Sequence, residues 1–553
     1  MIMKNIFKYL SIGLIGGVLF TGCETTNLDL TENPNALTPS QADVDFYLNE
    51  VQVKFARVVE SLGETGAEVT RIEWMGSRNY QNAYSPAGFD GNWEDAYQEV
   101  IKNARDLTPL AEEAGLTHHI AIAQFIEAYT ITLLVDYFGD VPYSEAIGGA
   151  DNLNPSTDSG ADIYTAALAL TNAAIANFNS TALADPDIDF YYDGDWDAWV
   201  KAANTLKLRL HLNLGQTGAF NSIISSGNFI SSTDDDFQFQ WGSNQVQPDT
   251  RHPNYAQNYT VTGGGDYASI WMMNLMDTTD DPRIRYYYYR QNDGTPNALD
   301  INGVYVPPNE ETLDCSLQST PPPQYAAGGF PFCSLDNGYW GRNHGNDAGI
   351  PPDGLLRTAV GVYPQAGQFD DNSFGETSLG TGGGGAGITP MLLASWVDFW
   401  RAELAMNSSP AAGKPFILAG IAKSIAKVQT FASLDATADL SFEPSASDVS
   451  DFIDFIDSEF DAADNEGKWN IMAEQFFIAL KGNGHDAYNF YRRKGYPTDL
   501  EPNLEQNPGA FIRSFFYPAN AANTNSNLNQ KSGVTDQVFW DTNPASPTFP
   551  VAN

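Results

Sequence analysis

The chain has 553 residues, 42% of them hydrophobic, which is enough for a large core or for more than one domain. Its 69 acidic residues outnumber 28 basic ones, and the net charge of −41 repels a nucleic-acid backbone or an anionic membrane surface. Nucleic acid is thereby excluded as a partner, while a highly solvated surface is favoured.

Lys4 and Lys8 precede an apolar run that closes on Phe20-Thr21-Gly22-Cys23. The run is too short to span a bilayer and reads as a secretory signal. Small residues just ahead of a cysteine match the lipobox of bacterial lipoproteins, with Phe20 where leucine is usual. The match predicts a signal peptide over residues 1–22, lipidation of Cys23 and a flexible polar leader over 23–38. Acyl chains contribute about 0.8 kcal/mol per buried methylene, so several on one residue would hold a soluble body on a membrane. No later run approaches spanning length.

Organised structure is expected from residue 39, with Ser40 capping a helix whose apolar positions Val44, Tyr47, Leu48 and Val51 fall three or four apart. Helical spacing recurs over 91–110, over 117–137 before Gly139, over 162–178 and over 195–214. These stripes are read as core and given no chemistry. From 216 to 388 the period is lost, and Gly, Pro, Asn and aromatics dominate; long loops of this kind are functional or mobile. That stretch holds Cys315 and Cys333, which in an exported chain read as a disulfide rather than a metal site. Helices resume at Thr389-Pro390, a cap followed by proline, and continue over 415–431, 447–460 and 468–480. An aromatic, Asn-rich tail follows from 482. The expected architecture is mostly α, a single unit over 39–553 with helical scaffold at 39–215 and 389–481 and a loop-rich face at 216–388.

Several runs resemble one family. Asp136-Tyr137-Phe138-Gly139-Asp140-Val141-Pro142-Tyr143-Ser144-Glu145-Ala146, followed by Trp196 through Ala203-Asn204-Thr205-Leu206-Lys207-Leu208-Arg209, look like the two N-terminal motifs of SusD/RagB lipoproteins. Gln475 through Leu480, Asp486-Ala487-Tyr488, Tyr491-Arg492-Arg493-Lys494-Gly495-Tyr496-Pro497 and Arg513 through Pro518 resemble the SusD-like branch with an RR-x-GYP signature. The resemblance covers essentially the whole chain. It implies tetratricopeptide-type helix pairs beneath a loop-rich ligand face. It also implies an outer-membrane lipoprotein, facing the cell exterior, that captures an oligosaccharide or similar nutrient for polysaccharide utilization. The expected partner is a TonB-dependent (SusC-like) transporter, over which such a protein closes as a lid. Peptide capture is also known in the family.

The main competitor is an exported glycan hydrolase using paired carboxylates. Candidate pairs are too numerous to inform, Asp136 and Asp140 suit turns and caps, and no nucleophile-elbow, zincin or Walker pattern occurs. No enzyme activity, cofactor or metal is therefore expected. His118 and His119 point to different faces of a helix. The runs Asp185-x-Asp187-x-Asp189 and Asp193-x-Asp195-x-Asp197 lack the glycine and glutamate of a calcium loop and read as solvated, helix-capping segments. The Arg492-Arg493 pair has two readings, contact with the transporter and capping of helix carbonyls, of which the structural one is favoured.

A sugar presents apolar C–H faces bordered by hydroxyls, so its site needs flat aromatics beside amide, guanidinium or carboxylate groups. Two segments outside the helical stripes offer that mixture, 71–84 and 337–347. The sequence therefore nominates Trp74, Tyr80, Tyr339 and Trp340 for stacking, with Arg342 and Asn343 for hydrogen bonding.

Overall fold

The computed structural model describes residues 43–307, 315, 320–347, 356–505 and 507–550. The signal peptide, Cys23, the leader and Ser40 lie outside them. The first helix, α1 (Val44–Val69), is capped by Asp43, whose carboxylate accepts the Asp45 amide at 3.0 Å. The next helical segment passes from Asp90–Glu94 through a π-helical turn at Asp95–Ile101 into α2 (Lys102–Ala114). Gly115, in the left-handed region, turns the chain into α3 (Thr117–Phe138). By length and composition α3 could cross a membrane, contrary to the sequence reading, but it is buried inside the protein and serves as the central core helix.

α4 (Gly160–Phe178) and α5 (Trp196–Asn213) begin on Ser159 and Asp195 caps. Sequence neighbours pack on one another, α2 on α3, α3 on α4 and α4 on α5, which is the helix-pair stacking of a tetratricopeptide-like scaffold. A second set comprises α6 (Ala394–Met406), α7 (Lys414–Gln429), α8 (Ala446–Ala462) and α9 (Asn465–Ala479). The expected helix start at Thr389-Pro390 is corrected. Both residues lie in a strand, Ile388–Leu392, that pairs antiparallel with Phe237–Gln240 and joins the two helical sets, and α6 begins only at Ala394. The tail is not all irregular either, because α10 (His485–Lys494) packs back against α1.

One hydrophobic cluster runs from Leu48 on α1 to Trp540 near the C-terminus. The two ends of the chain meet at Asp136. This buried carboxylate accepts hydrogen bonds from Tyr164, from Trp540 Nε1 at 2.9 Å, and from His485 Nε2 and Asn489 Nδ2 at 2.8 Å each. Burial alone would raise it, yet the bonds from His485 and Tyr164 and the charge of Arg492 hold it at about 2. Arg492 donates to the Arg513 carbonyl at 2.7 Å and Arg493 forks onto Glu403 at 3.0 and 2.8 Å, so the arginine pair is structural. The loop-rich segment folds over this scaffold with a smaller cluster of its own, built on Tyr267, Trp340 and the Cys315–Cys333 disulfide.

Candidate functional site

The two nominated segments meet, but as a packed knot rather than an open platform. Arg71, Ser77 and Arg78 take left-handed backbone conformations that wind the chain tightly after α1. Trp74 donates its indole N–H to the Asn346 carbonyl at 3.1 Å and stands edge-on to Tyr267, while Arg78 reaches Asp347 at 2.6 Å. Beneath them, Asn343 donates to Glu501 at 2.7 Å and accepts the Cys333 amide at 2.8 Å, and Arg71 donates to the Glu501 carbonyl and the Tyr80 hydroxyl.

Five of the six nominated residues are buried. Tyr80, Tyr339, Trp340, Arg342 and Asn343 are each at most 4% exposed. Trp340 spends its polar groups on Thr358 and on the Gly294 carbonyl, and the Arg342 guanidinium lies 4.7 Å from the centre of the Tyr267 ring. Aromatic rings in this glycine- and asparagine-rich stretch build a core where no helix supplies one. Trp74 alone of the six keeps a partly open face.

A concavity with a volume of about 670 Å³ lies beside Tyr339. It is assembled from four separate stretches. The end of helix Ile270–Thr278 and the turn after it bring Asp277, Asp280 and Arg285; Arg290 and Asn337 form one wall, Asn372 another, and Phe442 to Asp448 a third. Fixed geometry comes from buried ion pairs. Arg283 forks onto Asp281 at 2.8 and 2.5 Å and reaches Gln475 on α9 at 2.7 Å, pinning the turn to the scaffold. Arg290 forks onto Asp370 at 2.6 and 3.1 Å, donates to the Asn337 carbonyl at 3.0 Å and also holds Asn372. Arg285 donates to the Asp370 carbonyl at 2.9 Å and Asn372 at 3.0 Å, and its guanidinium sits 5.6 Å from the Phe442 ring centre. The far wall is the capping box of α8, Ser445 with Asp448.

Chemically, the groove pairs two apolar surfaces, Phe442 and Ile301, with carboxylates at Asp277, Asp280, Glu443 and Asp448 and with guanidinium and amide donors. Burial raises Asp277 above the usual aspartate range. Carboxylates accept from hydroxyls, guanidiniums and amides donate to them, and a phenyl face packs on C–H groups, so the set suits a polyhydroxylated ligand. Of the nominated residues only Tyr339 touches this groove, and Arg290 covers its ring at 5.0 Å. Phe442, Arg285 and Arg290 escaped the sequence reading because they converge from positions up to about 160 residues apart; the one local signal was the charged turn Asp280-Asp281-Pro282-Arg283.

Among the described residues no three His, Cys, Asp or Glu side chains converge as a metal set. His118 pairs with Asp185 at 2.6 Å and His119 with Asp45 at 3.1 Å, on different sides of α3. The first aspartate run is a turn: Asp189 accepts the Tyr191 and Gly194 amides and the Trp199 indole N–H. In the second, Asp195 caps α5.

Residues 35–320 match the family model described as SusD-like, starch-binding and associating with the outer membrane. No curated protein matches the chain. Among solved structures, a SusD/RagB family protein from Bacteroides thetaiotaomicron is 18% identical with a TM-score of 0.66, covering 91% of this chain and 100% of its own. A SusD homologue from Bacteroides fragilis is 16% identical, TM-score 0.63, covering 91% and 99%. A chitin-binding SusD homologue from Flavobacterium johnsoniae is 18% identical, TM-score 0.62, covering 90% and 99%.

Proposed function

Because the chain belongs to the SusD-like family of outer-membrane, glycan- or nutrient-binding proteins, we propose that it is a non-catalytic capture protein for an oligosaccharide. In this reading Cys23 carries the lipid, the leader tethers the body outside the cell, and the body closes as a lid over a TonB-dependent transporter. The groove between Arg285, Arg290, Asn372 and Phe442 is the observation that carries it. Its walls are braced by buried ion pairs that set donor positions before ligand arrives, which lowers the ordering cost of binding. A phenyl ring 37% exposed beside a guanidinium offers a stacking face with a hydrogen-bonding edge.

The test is affinity electrophoresis against a glycan panel that includes chitin oligosaccharides and starch, run beside an assay for new reducing ends. Retardation without products, weakened in Phe442→Ala and Arg285→Ala, supports the reading. Products would make the protein a hydrolase, and unchanged retardation in both variants would move the site. Retardation by none of the glycans, with binding of a peptide library instead, would replace the ligand class. For the partner, a TonB-dependent transporter should co-purify from detergent-solubilised outer membranes; its absence from native complexes would remove the lid role.

A further inference from the structure

Below α1 lies a small enclosed chamber unrelated to the groove. It is lined by Glu60 and Glu64, one helical turn apart on the same face of α1, by Glu73, by His252 and Asn254 at the start of helix Pro253–Asn258, and by Gln365. Its volume is about 10 Å³, so the chamber admits a single small occupant.

Its polar groups are lopsided. Asn254 Oδ1 and Gln365 Oε1 are both buried without a hydrogen-bond partner, on residues 8% and 1% exposed. Both are acceptors, as are the Glu60 and Glu64 carboxylates. Glu73 is already neutralised by the Lys481 ammonium. The imidazole of His252 takes the Asn254 amide on Nδ1 at 3.2 Å, which leaves the proton on Nε2, 3.8 Å from Glu60 and itself without a hydrogen bond. Two orphaned amide oxygens and two carboxylates thus face one space. A water molecule has two protons to give and cannot serve four acceptors. A hard cation can, since carboxylate and amide oxygens are the ligands it takes, and two carboxylates balance a divalent charge.

We propose that this chamber is a binding site for a calcium-sized divalent cation, held by Glu60, Glu64, Asn254 Oδ1 and Gln365 Oε1. The ion would tie α1 to the segments at 252–254 and 365, and so lock the loop-rich face onto the scaffold.

Full-length soluble body, stripped with chelator, is titrated with Ca2+ in potassium buffer at physiological ionic strength, followed by calorimetry and by thermal midpoint. A chain of net charge −41 also attracts counter-ions non-specifically, so four proteins are compared: wild type, Glu60→Gln, Glu64→Gln and the surface control Glu113→Gln. Glutamine has the shape of the protonated glutamate, so both chamber variants fold, as circular dichroism verifies. Expected is a saturable Ca2+-dependent rise in midpoint for wild type and the control, with affinity weakened by roughly tenfold or more in both chamber variants. No rise in wild type, an equal rise in all four proteins, or a rise with Mg2+ but not Ca2+ would overturn the assignment.

Discussion

Asp136 is the residue through which the N-terminal and C-terminal motifs hold each other, and replacing it by asparagine tests that role with almost no change in volume. At 1.36 kcal/mol per pH unit, a carboxyl held at about 2 instead of its ordinary 3.8 contributes about 2.5 kcal/mol to folding. Because the folded value is depressed, that contribution is present in full above the unfolded value near 3.8 and is lost as pH falls through 2. Asparagine forfeits it at every pH. The variant also turns a donor toward His485 and Asn489, each of which donates to the carboxylate now, so one buried donor is orphaned at a cost of about 1–3 kcal/mol. Asp136→Asn should therefore be less stable than wild type by about 3.5–5.5 kcal/mol at pH 6.5, and by roughly half of that near pH 2. Urea unfolding followed by tryptophan fluorescence measures the difference, with Trp540 as a reporter whose indole N–H contacts the site. A deficit of the same size at both pH values would show that the charge contributes nothing and that only shape matters at this position.

Trp340→Ala should destabilise the protein by about 3–5 kcal/mol, as for any large buried ring, whereas Phe442→Ala should change chemical stability by less than about 0.5 kcal/mol; a Trp340→Ala protein as stable as wild type would refute its burial. Burial raises Glu501 to about 7. The folded state thus holds a proton that the unfolded chain releases near 4.5, so stability present below that pH is lost as pH rises toward 7, and Glu501→Gln should flatten the decline; an unchanged pH profile would contradict the assignment. Serine at Cys315 and Cys333, 18 residues apart, should cost about 3 kcal/mol of stability by chain-entropy reckoning, and no change on reduction would refute it. Labelling with radioactive palmitate should vanish in Cys23→Ala, and persistent label would place the lipid elsewhere.

Local physics made the helical half readable. α3, α4, α5, α7, α8 and α9 lie within a few residues of their expected spans because spacing, caps and a terminating Gly139 are encoded within a turn or two of each boundary. The same logic failed at Thr389-Pro390, where a sequence suited to a helix start is held extended by strand 237–240, far away in the chain. It also passed over α10, whose stripe of Ala487, Tyr488, Phe490 and Tyr491 is broken by polar residues that are themselves buried, His485, Asp486, Asn489 and Arg492.

The burial of the nominated residues has a deeper cause. A core without helices must satisfy backbone donors and acceptors by other means, and here side chains do it: Asn343 takes the Cys333 amide, Gln291 the Thr377 amide and Asp435 the Phe369 amide, while Arg290 gives to the Asn337 carbonyl. Large rings then fill the space that regular elements would have filled. Aromatics interleaved with amides, guanidiniums and carboxylates are therefore the composition of an irregular core and equally that of a sugar site. What separates the two is saturation: Trp340 and Asn343 have their polar groups committed inside the fold, while Phe442 presents a face to solvent beside polar groups fixed from behind. Composition along the chain cannot register that difference, because it is set by which of four distant stretches closes over which ring.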